Sequence, residues 1–254
     1  MFERLKTARA AIRSLRIYYG DRPRRAAMHR LYGGFVKAGD LVFDIGAHVG
    51  DRTGAFRRLG CRVVAVEPQP ALATTLRFLY GRDKSVAIEA AAIGRSAGEV
   101  ELLINIDNPT VSTASREFIA AARDAGGWEG QAWTKKIRVP MTSLDALIAR
   151  HGRPAFLKID VEGYEEEALA GLTQAVPALS FEFTTIQRGI AQNCIERCRA
   201  LGYQRFNAAL GETQALVHGQ WRSADEIRTW LGALPHEANS GDIYAVLGAE
   251  PRAG

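Results

Sequence analysis

Short apolar runs rich in β-branched residues alternate along this chain with stretches whose apolar positions recur at helical spacing. That alternation predicts a parallel sheet with helices on both faces. Residues 41–45 read as a first strand, 50–59 as a helix, 62–66 as a second strand, 70–80 as a helix with Pro70 at an early position, and 86–91 as a third strand. The rhythm then breaks. GEVELLI (98–104) and KKIRVPM (135–141) alternate apolar and polar positions as strands of an exposed sheet do, and the polar, aromatic-bearing stretch 105–134 lies between them. A loop of that length in a compact domain points to function, so it reads as a lid or substrate-facing insertion. Regularity returns with helix 143–150, strand 155–159, helix 164–172, strand 179–183, helix 190–201 and two late strands at 203–207 and 243–247. No internal repeat or low-complexity tract interrupts the pattern.

Chemistry gathers at the ends of these strands. The first strand runs into VFDIGAHVGDRTG, with Asp44 followed by Gly46, Gly50 and Gly54. Glycine weakens regular structure by roughly 0.5–1 kcal/mol relative to alanine, so a cluster needs a geometric cause. At the carboxyl end of a strand in an open α/β sheet, that cause is close approach of a ligand to the backbone. The spacing G-x-x-x-G departs from the G-x-G-x-x-G of dinucleotide binders. Some twenty residues on, VVAVEP places Glu67 where a carboxylate accepts both ribose hydroxyls. Asp44 and Glu67 thus anchor a nucleoside that carries a cationic amino-acid tail, and S-adenosylmethionine has those parts.

A second cluster, FLKIDVEGYEEEALAGL, releases Asp160 and Glu162 from an apolar strand toward the same crevice. Helix capping by Asp160, or Glu162 beside a helix N-terminus, is the plainer role for these carboxylates. In SFEFTT, Glu182 sits inside a strand, where burial requires that it face the cleft or a basic partner.

Composition narrows the class. The 254 residues, 47% hydrophobic, suffice for one α/β domain with a small appendage. No apolar run reaches the ~20 residues of a membrane span, and the amino terminus lacks the pattern of a secretory signal. Cys61, Cys194 and Cys198 are too sparse for a disulfide framework, so reduced thiols and a cytoplasmic location are expected. The net charge of +5 is uneven: residues 1–37 carry ten Lys and Arg against Glu3 and Asp21. Phe2, Leu5, Ile12 and Leu15 form an approximate helical stripe there. The segment 1–37 is therefore expected to be a basic helical appendage, either packed on the domain or peripheral to an anionic membrane, ahead of a domain at 38–254. No nucleic-acid partner is expected, for lack of a recognition motif.

DIGAHVGDRT, VVAVEPQP, LKIDVEGYE and the late SGDIYAVL together resemble the FkbM family of S-adenosylmethionine-dependent methyltransferases over residues 35 to 250. The resemblance implies a Rossmann-like class I methyltransferase fold: a seven-stranded, mostly parallel sheet with the last strand antiparallel and helices on both faces. It also implies O-methylation of a hydroxyl on a sugar, glycan or polyketide-type natural product. By position, Asp44, Gly46, Ala47, His48 and Gly50 would line the methionine part of the cofactor, and Glu67 with Pro68 the ribose. Ala91 and Ala92 would lie near adenine, with Asp160 and Glu162 facing methyl donor and acceptor. His48 stands where the family more often has asparagine, so it is either a hydrogen-bond donor or a base.

An unactivated hydroxyl is a poor nucleophile, and Asp160 is the base expected here, with Glu162 orienting the acceptor. The five histidines show no metal-ligand spacing, so a divalent ion would have to rest on Asp160, Glu162 and other carboxylates. Asn108, Ser112, Ser115, Trp128 and Trp133 of the insertion are candidates for acceptor recognition, with core packing the alternative for both indoles. Two competing readings are a non-catalytic module docking on membrane or an acidic carrier, and a nicotinamide-dependent oxidoreductase, which the missing middle glycine disfavours.

Overall fold

A computed structural model describes residues 13–15 and 20–248. Its frame is a seven-stranded sheet built from β1 (Leu41–Ile45), β2 (Arg62–Val66), β3 (Val86–Glu89), β7 (Phe156–Ile159), β8 (Ala178–Thr184), β9 (Arg205–Leu210) and β10 (Ser240–Val246). The spatial order is β3-β2-β1-β7-β8-β10-β9. Strands β3, β2, β1, β7 and β8 run parallel, and β10 enters antiparallel between β8 and β9. Chain order reverses between β1 and β7, and their carboxyl ends form a crevice there.

Strand β1, LVFDI, is buried along its whole length, as a central parallel strand must be. Its alternation splits the core. Leu41, Phe43 and Ile45 face the layer of α5 (Leu144–His151), α6 (Glu165–Ala170), α7 (Arg188–Ala200) and α8 (Ala224–Ala233). Val42, with Val63, Phe156 and Tyr244, faces α1 (Arg22–Gly33) and α2 (Asp51–Arg58). Asp44, Lys158, Glu182 and Asp242 have the parity of this second face, so four charged groups emerge together on it.

Helix α1 lies inside the basic 1–37 segment. Asp21 caps it by accepting the Arg24 N–H at 2.9 Å, and Pro23 occupies the first turn. Met28, Leu31 and Tyr32 are buried, with the Tyr32 ring 4.5 Å from Phe56 and 5.8 Å from Phe156. Leu15 packs on Val49 and Leu72, whereas Phe2, Leu5 and Ile12 of the expected stripe lie outside the described residues. Cys61, Cys194 and Cys198 are free and buried. Among the described residues no helix is long and apolar enough to cross a membrane.

The break in rhythm after β3 corresponds to a second, three-stranded sheet of β4 (Ala92–Ile93), β6 (Lys135–Thr142) and β5 (Gly98–Ile104), in that order. The third strand expected over 86–91 ends at Glu89, and the next two-residue strand pairs with β6 instead. The stretch 105–134 is ordered by a 3-10 turn at Pro109–Val111, by α4 (Arg116–Arg123) and by side-chain anchors. Ser115 caps α4 by accepting the Phe118 N–H at 3.0 Å, and Thr113 Oγ1 donates to the Glu162 carbonyl at 2.6 Å. Phe118 takes the edges of Trp128 and Trp133 at 5.2 and 6.3 Å. Trp133 Nε1 also donates to the Val111 carbonyl at 2.7 Å, so its indole is tied into this segment.

Helix α3 (Pro70–Tyr80) agrees with the sequence pattern, and the late strands are shifted to 205–210 and 240–246. Helix α8 was missing from the pattern. Its start is nevertheless written in the sequence as a capping box, with Ser223 accepting the Glu226 N–H and the Glu226 carboxylate accepting the Ser223 N–H.

Candidate active site

The crevice at the β1–β7 switch encloses about 970 Å³, open solvent at its mouth included. Of the residues singled out in sequence, Asp44, Gly46, Ala47, His48, Glu67, Pro68, Ala91, Ala92, Asp160 and Glu162 all line it. Gly50 is set back, opening α2 in a left-handed conformation with φ 82°.

At the β1 and β2 ends the backbone makes a tight double turn. The N–H groups of Gly46 and Ala47 both donate to the Val66 carbonyl at 2.9 Å, which locks the glycine loop to β2. Gly46 has φ 79°, and a Cβ there would run into the carbonyl oxygen of Asp160. The position demands glycine for both reasons. His48, at φ 49°, turns its N–H onto Glu67 Oε2 at 2.9 Å, and the Gln69 N–H reaches Glu67 Oε1 at 2.8 Å. Each Glu67 oxygen thus keeps one lone pair for a ligand, with its direction already set. Burial raises Glu67 to about 7, against the pull of those two N–H groups. Asp44 is raised by burial to about 6 and accepts a hydrogen bond from Thr53 Oγ1 at 2.5 Å. Burial pushes the His48 imidazole down to about 4, leaving it neutral at pH 7, with Nε2 3.4 Å from Thr110 Oγ1.

At the β7 end the charges are denser. Lys158, 1% exposed on its side chain, places Nζ 3.0 Å from Asp160 Oδ2 and 2.8 Å from Asp242 Oδ1. Burial alone would raise the Asp160 carboxyl, but Lys158 and Arg52 outweigh it and hold Asp160 below the usual carboxylate range. Glu162 and Glu182 go the other way. Burial raises both well above the usual range, and Asp160 adds to the effect. The mouth is flanked by a four-member network: Arg24 and Arg52 meet Asp51 at 2.9 and 2.7 Å and Glu212 at 2.8 and 3.0 Å. Burial would raise Asp51, but the two arginines keep it at about 2.

Sequence reasoning missed Lys158, Arg52, Asp51 and Glu212, which line the crevice. Lys158 carried a signal, a lone cation inside the buried strand FLKI. Glu212 carried none, being brought in by the turn after β9. Of the insertion residues, Ser112 lines the crevice together with Thr110, which had not been singled out. Trp128, Trp133, Asn108 and Ser115 do not line it.

No curated protein matches the chain by sequence. Among solved structures it is similar to a precorrin-6y C5,15-methyltransferase from Geobacter metallireducens, at 13% identity over 88% of this chain and 87% of that one, with a TM-score of 0.44. A TehB-like SAM-dependent methyltransferase from Corynebacterium glutamicum aligns at 10% identity over 87% and 88% of the two chains, TM-score 0.45. A SAM-dependent methyltransferase from Thiobacillus denitrificans, in complex with S-adenosyl-L-homocysteine, aligns at 10% identity over 89% and 91%, TM-score 0.42. The model of the methyltransferase FkbM domain matches residues 44–240, from the first crevice carboxylate to the start of β10. The chain belongs to the FkbM methyltransferase family.

Proposed function

We propose that this chain transfers a methyl group from S-adenosylmethionine to a hydroxyl of a sugar, a glycan or a polyketide-type natural product. The observation that carries the cofactor assignment is Glu67, a buried carboxylate at the end of β2 whose two oxygens are each aimed by a backbone N–H. A ribose diol donates to such a carboxylate without disturbing either bond. The Gly46–Ala47 turn leaves the backbone bare beside it for the methionine end, Pro68 borders the ribose, and Ala91 with Ala92 offers an apolar wall for adenine.

The sulfonium supplies the electrophile, a methyl group open to in-line displacement. What falls to the protein is to hold the acceptor oxygen about 3–3.5 Å from that carbon and to receive its proton. Asp160 is the proton acceptor in this reading. Lys158 and Arg52 keep it ionised, and a weakly basic carboxylate suffices because the hydroxyl proton becomes strongly acidic as the new C–O bond forms. Glu162 orients the acceptor. His48 takes part through its N–H and as a neutral ring, since a group that titrates near 4 is a poor base at pH 7. The segment 105–134, with Thr110 and Ser112 at the crevice, is the acceptor-facing lid of the 38–254 domain. We place the reaction in the cytoplasm, with the basic segment 1–37 available for contact with an anionic membrane.

Methyl transfer from isotope-labelled cofactor to a panel of sugars, lipid-linked glycans and macrolide-like alcohols tests this. Asp160→Asn is expected to slow turnover by about 10²–10⁴-fold with cofactor affinity unchanged. Unaltered turnover would remove Asp160 from the chemistry.

A further inference from the structure

Asp160, Glu162 and Glu182 converge from the end of β7, the turn after it and the middle of β8, and one oxygen of each lies within 4.8 Å of the others. Convergence alone says little, since acidic groups gather on many surfaces. Two further facts single this cluster out. Glu162 is 8% exposed and lines the crevice, yet among the described residues its carboxyl has no hydrogen-bond or ion-pair partner. Glu182 Oε2 is likewise buried without a partner.

The cations nearby are already committed. Lys158 divides itself between Asp160 and Asp242, and Arg52 between Asp51 and Glu212. Lys158 meets Asp160 at Oδ2, and the Asp160 carboxylate also meets the Glu182 carboxyl. A buried carboxylate without a partner is costly, and it is relieved by a proton or by a metal ion. We propose that Glu162, Glu182 and one oxygen of Asp160 hold a hard divalent cation of the magnesium or manganese type.

The donor set supports that class. Three carboxylate oxygens with no sulfur or imidazole suit magnesium, manganese or calcium rather than zinc or copper. A six-coordinate ion so held keeps positions open for water and for oxygens of the acceptor. The use of the ion rests on the methyl-transfer reading of this crevice; its binding does not.

The test is manganese binding to the full chain, stripped with EDTA and followed by electron paramagnetic resonance at pH 7.5. The measurement is made with and without S-adenosylhomocysteine. One Mn²⁺ per chain is expected, displaced by Mg²⁺. Glu162→Gln and Glu182→Gln are each expected to weaken it by at least about tenfold. Both variants should melt no lower than the wild type and bind S-adenosylhomocysteine as it does. No bound Mn²⁺ in either state of the wild type would overturn the proposal, with Glu162 and Glu182 then neutralised by protons. Binding that survives both substitutions unchanged would overturn it as well. Failure of S-adenosylhomocysteine to bind, with Mn²⁺ bound, would instead strike the methyltransferase reading and leave the cation site standing.

Discussion

Glu67 and Glu162 are both buried glutamates on the wall of one crevice, yet the Glu67 carboxylate accepts two backbone N–H groups and the Glu162 carboxyl accepts none among the described residues. The first is bonded in place before any ligand arrives. The second sits among Asp160, Glu165 and Glu182, whose negative charges together with burial outweigh the pull of Lys158. Both carboxyls are raised by burial, so the shift alone does not separate them; the hydrogen bonds do. A site that must bind the same nucleoside at every turnover is served by rigid, satisfied donors and acceptors. A site that must receive an acceptor, a proton or an ion is served by groups whose valences are open until it comes. In this protein the two kinds meet at Gly46, where the glycine loop passes so close to the Asp160 carbonyl that no side chain fits between them.

The strongest way to break that arrangement is Gly46→Ala. Positive φ and collision with Asp160 act together, so the chain should lose S-adenosylhomocysteine binding altogether in calorimetry and melt well below the wild type. Next is Lys158→Met, which strands Asp160 and Asp242. Breaking a buried ion pair costs about 3–5 kcal/mol, read as a lower midpoint in urea unfolding.

Glu67→Gln sharpens the comparison, since it keeps the shape and loses the charge. The charge-assisted bonds to a ribose are worth about 1.5–3 kcal/mol, so affinity should fall roughly 10- to 100-fold. The same variant tests the pH dependence. A carboxyl raised to about 7 in the fold keeps a proton that the unfolded chain has shed above about 4.5. Stability should therefore fall as pH rises from about 4.5 to 7, through Asp44, Glu67, Glu162, Glu165 and Glu182 together. His48 opposes them between about 4 and 6.5, being neutral in the fold and charged when unfolded, but it is one group against five. Thermal melts across this range should show a shallower slope in Glu67→Gln. The smallest expected effect is Trp133→Phe, which loses the bond to the Val111 carbonyl and should cost about 1 kcal/mol without changing nucleoside binding.

Much of the crevice wall at the β1 and β2 ends was legible from the chain. Glycines after an apolar strand, and an acid about twenty residues on, are local patterns whose geometry follows from strand-end position, and Asp44, Gly46 and Glu67 fell where that logic put them. The carboxylate end was only half legible. Asp160 and Glu162 announce themselves, and Glu182 is suspicious inside SFEFTT, but their meeting depends on the β7–β8 register and on the left-handed turn at Glu162. Arg24 and Glu212 lie 188 residues apart and meet only because α1 packs against the sheet beside the turn after β9. Strand β4 misled the pattern for a related reason: Ala91 and Ala92 continue the apolar run of β3 while the chain leaves that sheet for β6. The tryptophans of 105–134 advertise recognition by their type, and pack on Phe118.

The central claim is that one crevice holds a finished nucleoside seat beside an open carboxylate cluster. Titrating S-adenosylhomocysteine into the wild type, Glu67→Gln and Glu162→Gln by calorimetry tests it most directly. Single-site binding is expected in the wild type, a loss of tenfold or more in Glu67→Gln, and affinity within about twofold of wild type in Glu162→Gln. Equal affinity in all three folded proteins, or no binding to any of them, would contradict it.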